Sequence, residues 1–146
     1  MWDEGRAEYV RYKLEQARET WQEAECLYSA GKYRGCASRG YFAFYKAVLA
    51  ALVAGGAVVE DRGPRHSQAL GRFNKLYVRP GRLSRELGRF LNELERLRVR
   101  ADYRDQAVLA EEAQGVIEQG RGHLEIVCQF AEQALLGGPG SDGTPE

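Results

Sequence analysis

Cysteine is scarce. Cys26, Cys36 and Cys128 are the only three, an odd count with no C-x-x-C spacing. That argues against a disulfide framework and a thiolate zinc site, and favours a reducing cytosol. Histidine is scarcer still, with His66 and His123 alone. A histidine-rich metal centre is therefore not expected, and neither a metal nor a cofactor is predicted. Long apolar runs are missing as well. The longest uncharged one, residues 47–59, has 13 residues and contains Gly55-Gly56. It is too short to span a bilayer. The opening Met1-Trp2-Asp3-Glu4 is too acidic for a signal peptide, so the expected location is cytoplasmic. Net charge is absent too: 21 basic and 21 acidic side chains cancel. Zero net charge gives no global attraction to nucleic acid and favours self-association or a protein partner.

What is present suits one domain with a tail. The chain has 146 residues, 44% of them apolar and 29% charged, enough for a core that needs no metal or disulfide. The charge is unevenly placed. Residues 62–104 carry 12 basic side chains against 4 acidic, net +8, whereas residues 105–146 carry 1 against 8, net −7. The basic third either binds phosphates by counterion release or pairs with the acidic third across a helix interface. Arginine outnumbers lysine 17 to 4, and its planar fork suits phosphate.

Apolar periodicity predicts helices. Val10, Leu14, Ala17, Trp21, Ala24 and Tyr28 form one stripe, which Asp3 can cap and Gly31 can end. A second helix runs from about Lys32 to Ala54 and stops at Gly55-Gly56. It is apolar nearly all round over residues 41–53, so it should be the central, most buried helix. A loop is expected over 57–64. A third helix starts near His66-Ser67, covers Ala69, Leu70, Phe73, Leu76 and Tyr77, and breaks at Pro80-Gly81. Ser84 can cap a fourth, faced by Leu87, Phe90, Leu91, Leu94 and Leu97. A fifth presents Ala110, Ala113, Ile117, Gly120, Leu124, Val127, Ala131 and Ala134. No sustained period of two occurs. The prediction is an all-α antiparallel up-and-down bundle of four to five helices over 1–136, with 137–146 a disordered Gly/Pro-rich tail.

The order of motifs is specific. Ser38-Arg39-Gly40-Tyr41-Phe42-Ala43-Phe44-Tyr45-Lys46-Ala47 lies on the second helix, and His66-Ser67 opens the next. Phe73-Asn74-Lys75-Leu76-Tyr77-Val78 precedes Gly81, and Arg98-Val99-Arg100-Ala101-Asp102-Tyr103 follows. In this order they resemble the HEPN superfamily, in its small stand-alone branch with an R-x-x-A-D-Y signature, over about residues 10 to 130. The resemblance implies a helical bundle that dimerises, often encoded beside a minimal nucleotidyltransferase in toxin–antitoxin-like modules. It also implies, for active members, a metal-independent ribonuclease with an R-x(4-6)-H motif facing its copy across the dimer. Aligning Arg98 with the motif arginine puts Tyr103 where the histidine stands. A phenol, with a pKa of about 10, is a poor base near neutral pH. It can still donate a hydrogen bond or stack on a nucleobase.

The candidate site is therefore Arg98, Asp102 and Tyr103, with Arg39 and His66 supporting. Arg98 and Asp102 stand four apart on a helix. They form either a surface ion pair of about 0.2–0.5 kcal/mol or a phosphate anchor with its orienting carboxylate. Tyr103 lies five residues past Arg98, about 140° round a helix, so the two share a target only if the helix ends there or a second protomer intervenes. His66 is either a helix cap or the missing base. His123 reads as a boundary residue. Tyr41, Phe42, Phe44 and Tyr45 read as core before a nucleobase platform. Three function classes stand: a nucleotide- or RNA-binding module working as a dimer with a nucleotidyltransferase, a ribonuclease toxin, and a structural helical dimer. The first ranks highest because Tyr103 replaces the base.

Overall fold

The computed structural model describes residues 4–57, 66–103 and 105–137, without the side chains of His66 and Ser67. Five helices follow one another: α1 (Glu4–Ser29), α2 (Tyr33–Ala54), α3 (His66–Phe73), α4 (Arg85–Ala101) and α5 (Ala110–Gly137). A π-helical turn, Asn74–Val78, continues α3. Among the described residues there is no strand, and the chain is an all-α bundle. The expected Asp3 cap, most of the 57–64 loop and the tail beyond Gly137 lie outside the described residues.

The helix ends follow local chemistry. Gly31 takes a positive φ of 75°, which a Cβ would strain. There the Gly31 N–H donates to Tyr28 O at 3.0 Å and the Lys32 N–H to Leu27 O at 2.8 Å, the paired bonds that close a helix C-terminus. Ser84 Oγ accepts the Leu87 N–H at 3.1 Å and so caps α4.

α2 is the hub, packing against α1, α3, α4 and α5. Its residues 47–52 are all fully buried, as the nearly continuous apolar run predicts. Burying a side chain the size of Leu49 or Leu52 contributes about 1.5–3 kcal/mol before chain entropy is counted. Cross-helix pairs fix the directions. Phe44 meets Phe90 at 5.1 Å while Arg34 reaches Ala101 O at 2.8 Å, so α2 and α4 run antiparallel. Arg18 pairs with Glu125 at 3.0 Å and Arg121 with Glu25 at 2.6 Å, so α1 and α5 do too.

Three details depart from the periodicity. Leu76 is 42% exposed, because the wider π turn advances less than 100° per residue and swings it off the face that Phe73 and Tyr77 bury. In α5 the seam takes Val116, buried, while its neighbour Ile117 is only half-buried against the core. Ala110, the first residue of α5, is exposed because the helix begins beyond the core.

Candidate functional site

The candidate site lies where α4 ends against α2. Arg98 sits in the last turn of α4, and its guanidinium carbon lies 4.7 Å from the centroid of the Tyr41 ring on α2. Arginine over an aromatic face gains about 0.5–2 kcal/mol, more as water is removed. The Arg98 side chain is 20% exposed and Asp102 60%, with Nη1 donating to Oδ2 at 3.1 Å. Arg98 Nε is buried and has no hydrogen-bond partner among the described residues. Burial pushes the Tyr41 phenol well above its usual range, with the nearby Glu95 carboxylate adding to the rise and Arg98 opposing it. Tyr41 therefore stays neutral beneath the cation.

Helix α4 ends at Ala101, with Asp102 as its C-cap and Tyr103 outside it. That is the break the Arg98–Tyr103 spacing requires if both are to face one ligand. Tyr103 is 53% exposed. Its position is set by Arg34, in the first turn of α2, which donates Nη1 to the carbonyls of Ala101, at 2.8 Å, and Tyr103. Arg100 fixes the following segment. It donates to Ala107 O at 3.2 Å and pairs with Glu112. Glu112 also accepts the Leu109 N–H at 2.9 Å, capping α5. The Arg100 hydrogen bond, then that of Leu109, hold the Glu112 carboxyl below the usual carboxylate range.

The remaining expected residues stand elsewhere. Arg39 pairs with Glu23 on α1 at 2.7 Å and is about half exposed, so it is neither buried nor turned towards Arg98. Residues 39 and 41 lie about 200° apart round α2, which sends Arg39 to α1 and Tyr41 to α4. His66 begins α3, and its side chain lies outside the described residues. His123, on α5, packs on Phe90 at 5.0 Å, and burial lowers its pKa below the usual imidazole value. Phe90 precedes Arg98 by eight residues, about 12 Å along α4, so His123 belongs to another part of the surface. Tyr41 is core, as its pattern reads, and also lies beneath Arg98 in the candidate site. Arg34 also went unforeseen, yet it left a signal: a cation at the positive end of a helix dipole is unfavourable unless something distant holds it. Arg100 left none, because a base in the last turn of a helix is ordinary.

The comparison with known families decides the membership. The HEPN domain model matches residues 10–130. The chain belongs to the HEPN domain family. Two similar proteins are UPF0332 proteins. That of Thermotoga maritima is 28% identical over 124 residues, covering 84% of this chain and 91% of the relative. That of Gloeobacter violaceus is 27% identical over 122 residues, covering 82% and 94%. At the family level this HEPN domain is a nucleotide- or RNA-related module. No described helix is long and apolar enough to cross a membrane.

Proposed function

We propose that this HEPN domain binds RNA or a nucleotide at Arg98 and Tyr103, as a homodimer that works with a separately encoded minimal nucleotidyltransferase in a toxin–antitoxin-like pair. The observation that carries the reading is the arrangement of Arg98. Its guanidinium is stacked over Tyr41, oriented by Asp102, partly desolvated, and left with a buried Nε that has no partner among the described residues, while Tyr103 is exposed just past the end of the same helix. A phosphate oxygen completes such a fork by charge-assisted hydrogen bonds. Tyr103 offers a ring for a base and a hydroxyl for a sugar or phosphate. Binding is favoured over cleavage because Tyr103 stands in the sequence where the motif histidine is expected, and His123 is engaged with Phe90. Val99, Tyr103 and Leu109 are 41%, 53% and 52% exposed at this same end of α4, an apolar surface suited to a second protomer.

The test is a titration of single-stranded RNA against the wild type and Arg98→Ala at two salt concentrations. Loss of one charge-assisted contact costs about 1.5–3 kcal/mol, or roughly ten- to a hundredfold in affinity. Equal affinities at both salts would remove Arg98 from the site. Sedimentation should show a dimer that dissociates in Val99→Glu. A wild-type monomer at high micromolar concentration would refute the dimer. Co-purification with a nucleotidyltransferase encoded next door tests the partner, and a chain recovered alone from co-expression argues against it.

A further inference from the structure

A second cationic feature lies at the opposite end of α4. Arg79, Arg85 and Arg89 line a cleft of about 280 Å³ together with Asn74, Asn92, Val78 and Gly88. Among the described residues, no carboxylate lines it. Six other arginines, Arg18, Arg39, Arg96, Arg98, Arg100 and Arg121, each hold a Glu or Asp, while Arg34 donates to carbonyls and Arg82 lies over the Phe130 ring at 5.0 Å. Arg79, Arg85 and Arg89 form no ion pair among the described residues, although the chain has as many acids as bases. Three like charges this close repel one another, an unfavourable arrangement that an anion relieves.

The cleft is built by the π turn. A Cβ on Gly88 would stand 2.9 Å from Val78 Cγ1 and 3.5 Å from Asn74 Oδ1. The bare glycine therefore lets Asn74 and Val78 close onto α4 and brings Arg79 alongside Arg85 and Arg89. Asn74 and Asn92 add neutral donors and acceptors of the kind that hold sugar and phosphate oxygens. From Arg85 to Arg98 the rise along α4 is about 20 Å. Arg89, Asn92 and Arg96 recur at steps of three and four, so they lie on one exposed face of α4 that leads from the cleft towards its Arg98 end.

We propose that this cleft is a second phosphate site, which holds the backbone of a single-stranded nucleic acid whose other contact is at Arg98 and Tyr103. The proposal rests on the RNA-binding reading above for its far end, but the cleft is testable without it. The chemistry is that of an arginine-clasped phosphodiester. The span of about 20 Å explains why a strand, and not a mononucleotide, is the ligand that uses both ends.

The test compares an oligouridylate of about 16 nucleotides with UMP and with orthophosphate, by anisotropy and calorimetry. The proteins are wild type, Arg79→Gln/Arg89→Gln, Arg98→Ala, and Arg11→Gln/Lys32→Gln as a control of equal charge loss. All altered side chains except Arg98 are exposed, and circular dichroism checks that the helices persist. The cleft variant should lose about tenfold or more in affinity for the oligouridylate. It should reduce the salt slope by about 1.4, two counterions on a single strand. Its affinity for UMP should stay that of wild type. Unchanged oligouridylate affinity and slope overturn the cleft, as does an equal loss in the control. Tight orthophosphate binding that the oligouridylate does not displace assigns the cleft to a free anion and overturns the strand. If Arg98→Ala binds the oligouridylate normally while the cleft variant does not, the reading of Arg98 fails and the cleft stands.

Discussion

Gly120→Ala should destabilise the bundle, although alanine is the better helix former. A Cβ at Gly120 would penetrate the Trp21 ring, meeting Cη2 far inside contact distance, Cζ2 at 2.7 Å and Cζ3 at 3.0 Å. The indole has no easy retreat. Phe44 meets it edge-on at 5.8 Å, Gly40 lies so close that its own Cβ would stand 3.4 Å from Cζ3, and the indole N–H donates to Glu25 Oε2 at 3.0 Å. Overpacking of this kind costs about 1–3 kcal/mol or more, while replacing a helical glycine returns about 1 kcal/mol. The clash forces a shift of backbone or ring, so the upper part of that range applies and the net loss is about 2 kcal/mol. For a domain of this size the melting temperature should fall by about 4–8 °C. Gly122, two residues on, has nothing within 4 Å of its ideal Cβ. Gly122→Ala should therefore stabilise by about 0.5–1 kcal/mol. Thermal and urea melts of both variants decide the matter. If Gly120→Ala melts at or above Gly122→Ala, the Trp21 contact does not hold α1 and α5 together as described.

The other predictions concern thiols, acid and the α4 terminus. Burial pushes Cys36 up to about 11 and Cys128 up to about 12, while Cys26 is exposed; a colorimetric thiol assay should count one reactive cysteine in the native protein and all three after unfolding, and a second fast thiol would contradict this burial. Glu112 and Glu125 are both held below the usual carboxylate range, by hydrogen bonds from Arg100 and Arg18 respectively. Each contributes stability that is present above the ordinary carboxylate pKa and lost as pH falls through the depressed one. Urea midpoints should therefore drop on acidification, and less so in Glu112→Gln. Arg34→Ala removes two charge-assisted bonds to the α4 terminus and should cost about 1–3 kcal/mol. Amide exchange at Asp102 and Tyr103 should quicken in that variant, and unchanged exchange would show that the terminus is held by something else.

Much of the fold is legible because helix signals are local. The spacing of Val10, Leu14, Ala17, Trp21 and Ala24 is itself the buried stripe of α1, and Ser84 and Gly31 mark their helix ends chemically. Leu76 leaves the buried face because a π turn changes the period without a residue type that announces it. Val116 and Ile117 are adjacent and equally apolar, so only packing against α2 decides between them. The site was legible along one helix and opaque across helices. The Arg98–Asp102 contact follows from a spacing of four. The Tyr41 ring beneath Arg98 and the Arg34 clamp depend on how α2 passes α4, which no local pattern contains. Arg39 shows the reverse error: its motif neighbours point to the site, but two residues of helix turn it to Glu23.

The central position of α2 has a consequence for how the protein opens. Every other helix uses α2 as a packing partner, so α2 is left without neighbours only when the whole bundle is lost. Its amides should exchange by global unfolding alone, at the slowest rate in the molecule. The α3 segment with its π turn is short, and Gly71, Arg72, Lys75 and Leu76 there are exposed. Phe73 and Tyr77 anchor it to the core, Tyr77 against Phe130 of α5 at 4.7 Å. One wall of the arginine cleft, Asn74, Val78 and Arg79, belongs to that segment, and the other, Arg85 to Asn92, belongs to α4. A strand that bridges the two walls would tie that segment to α4, so protection of residues 74–79 from exchange should rise with occupancy.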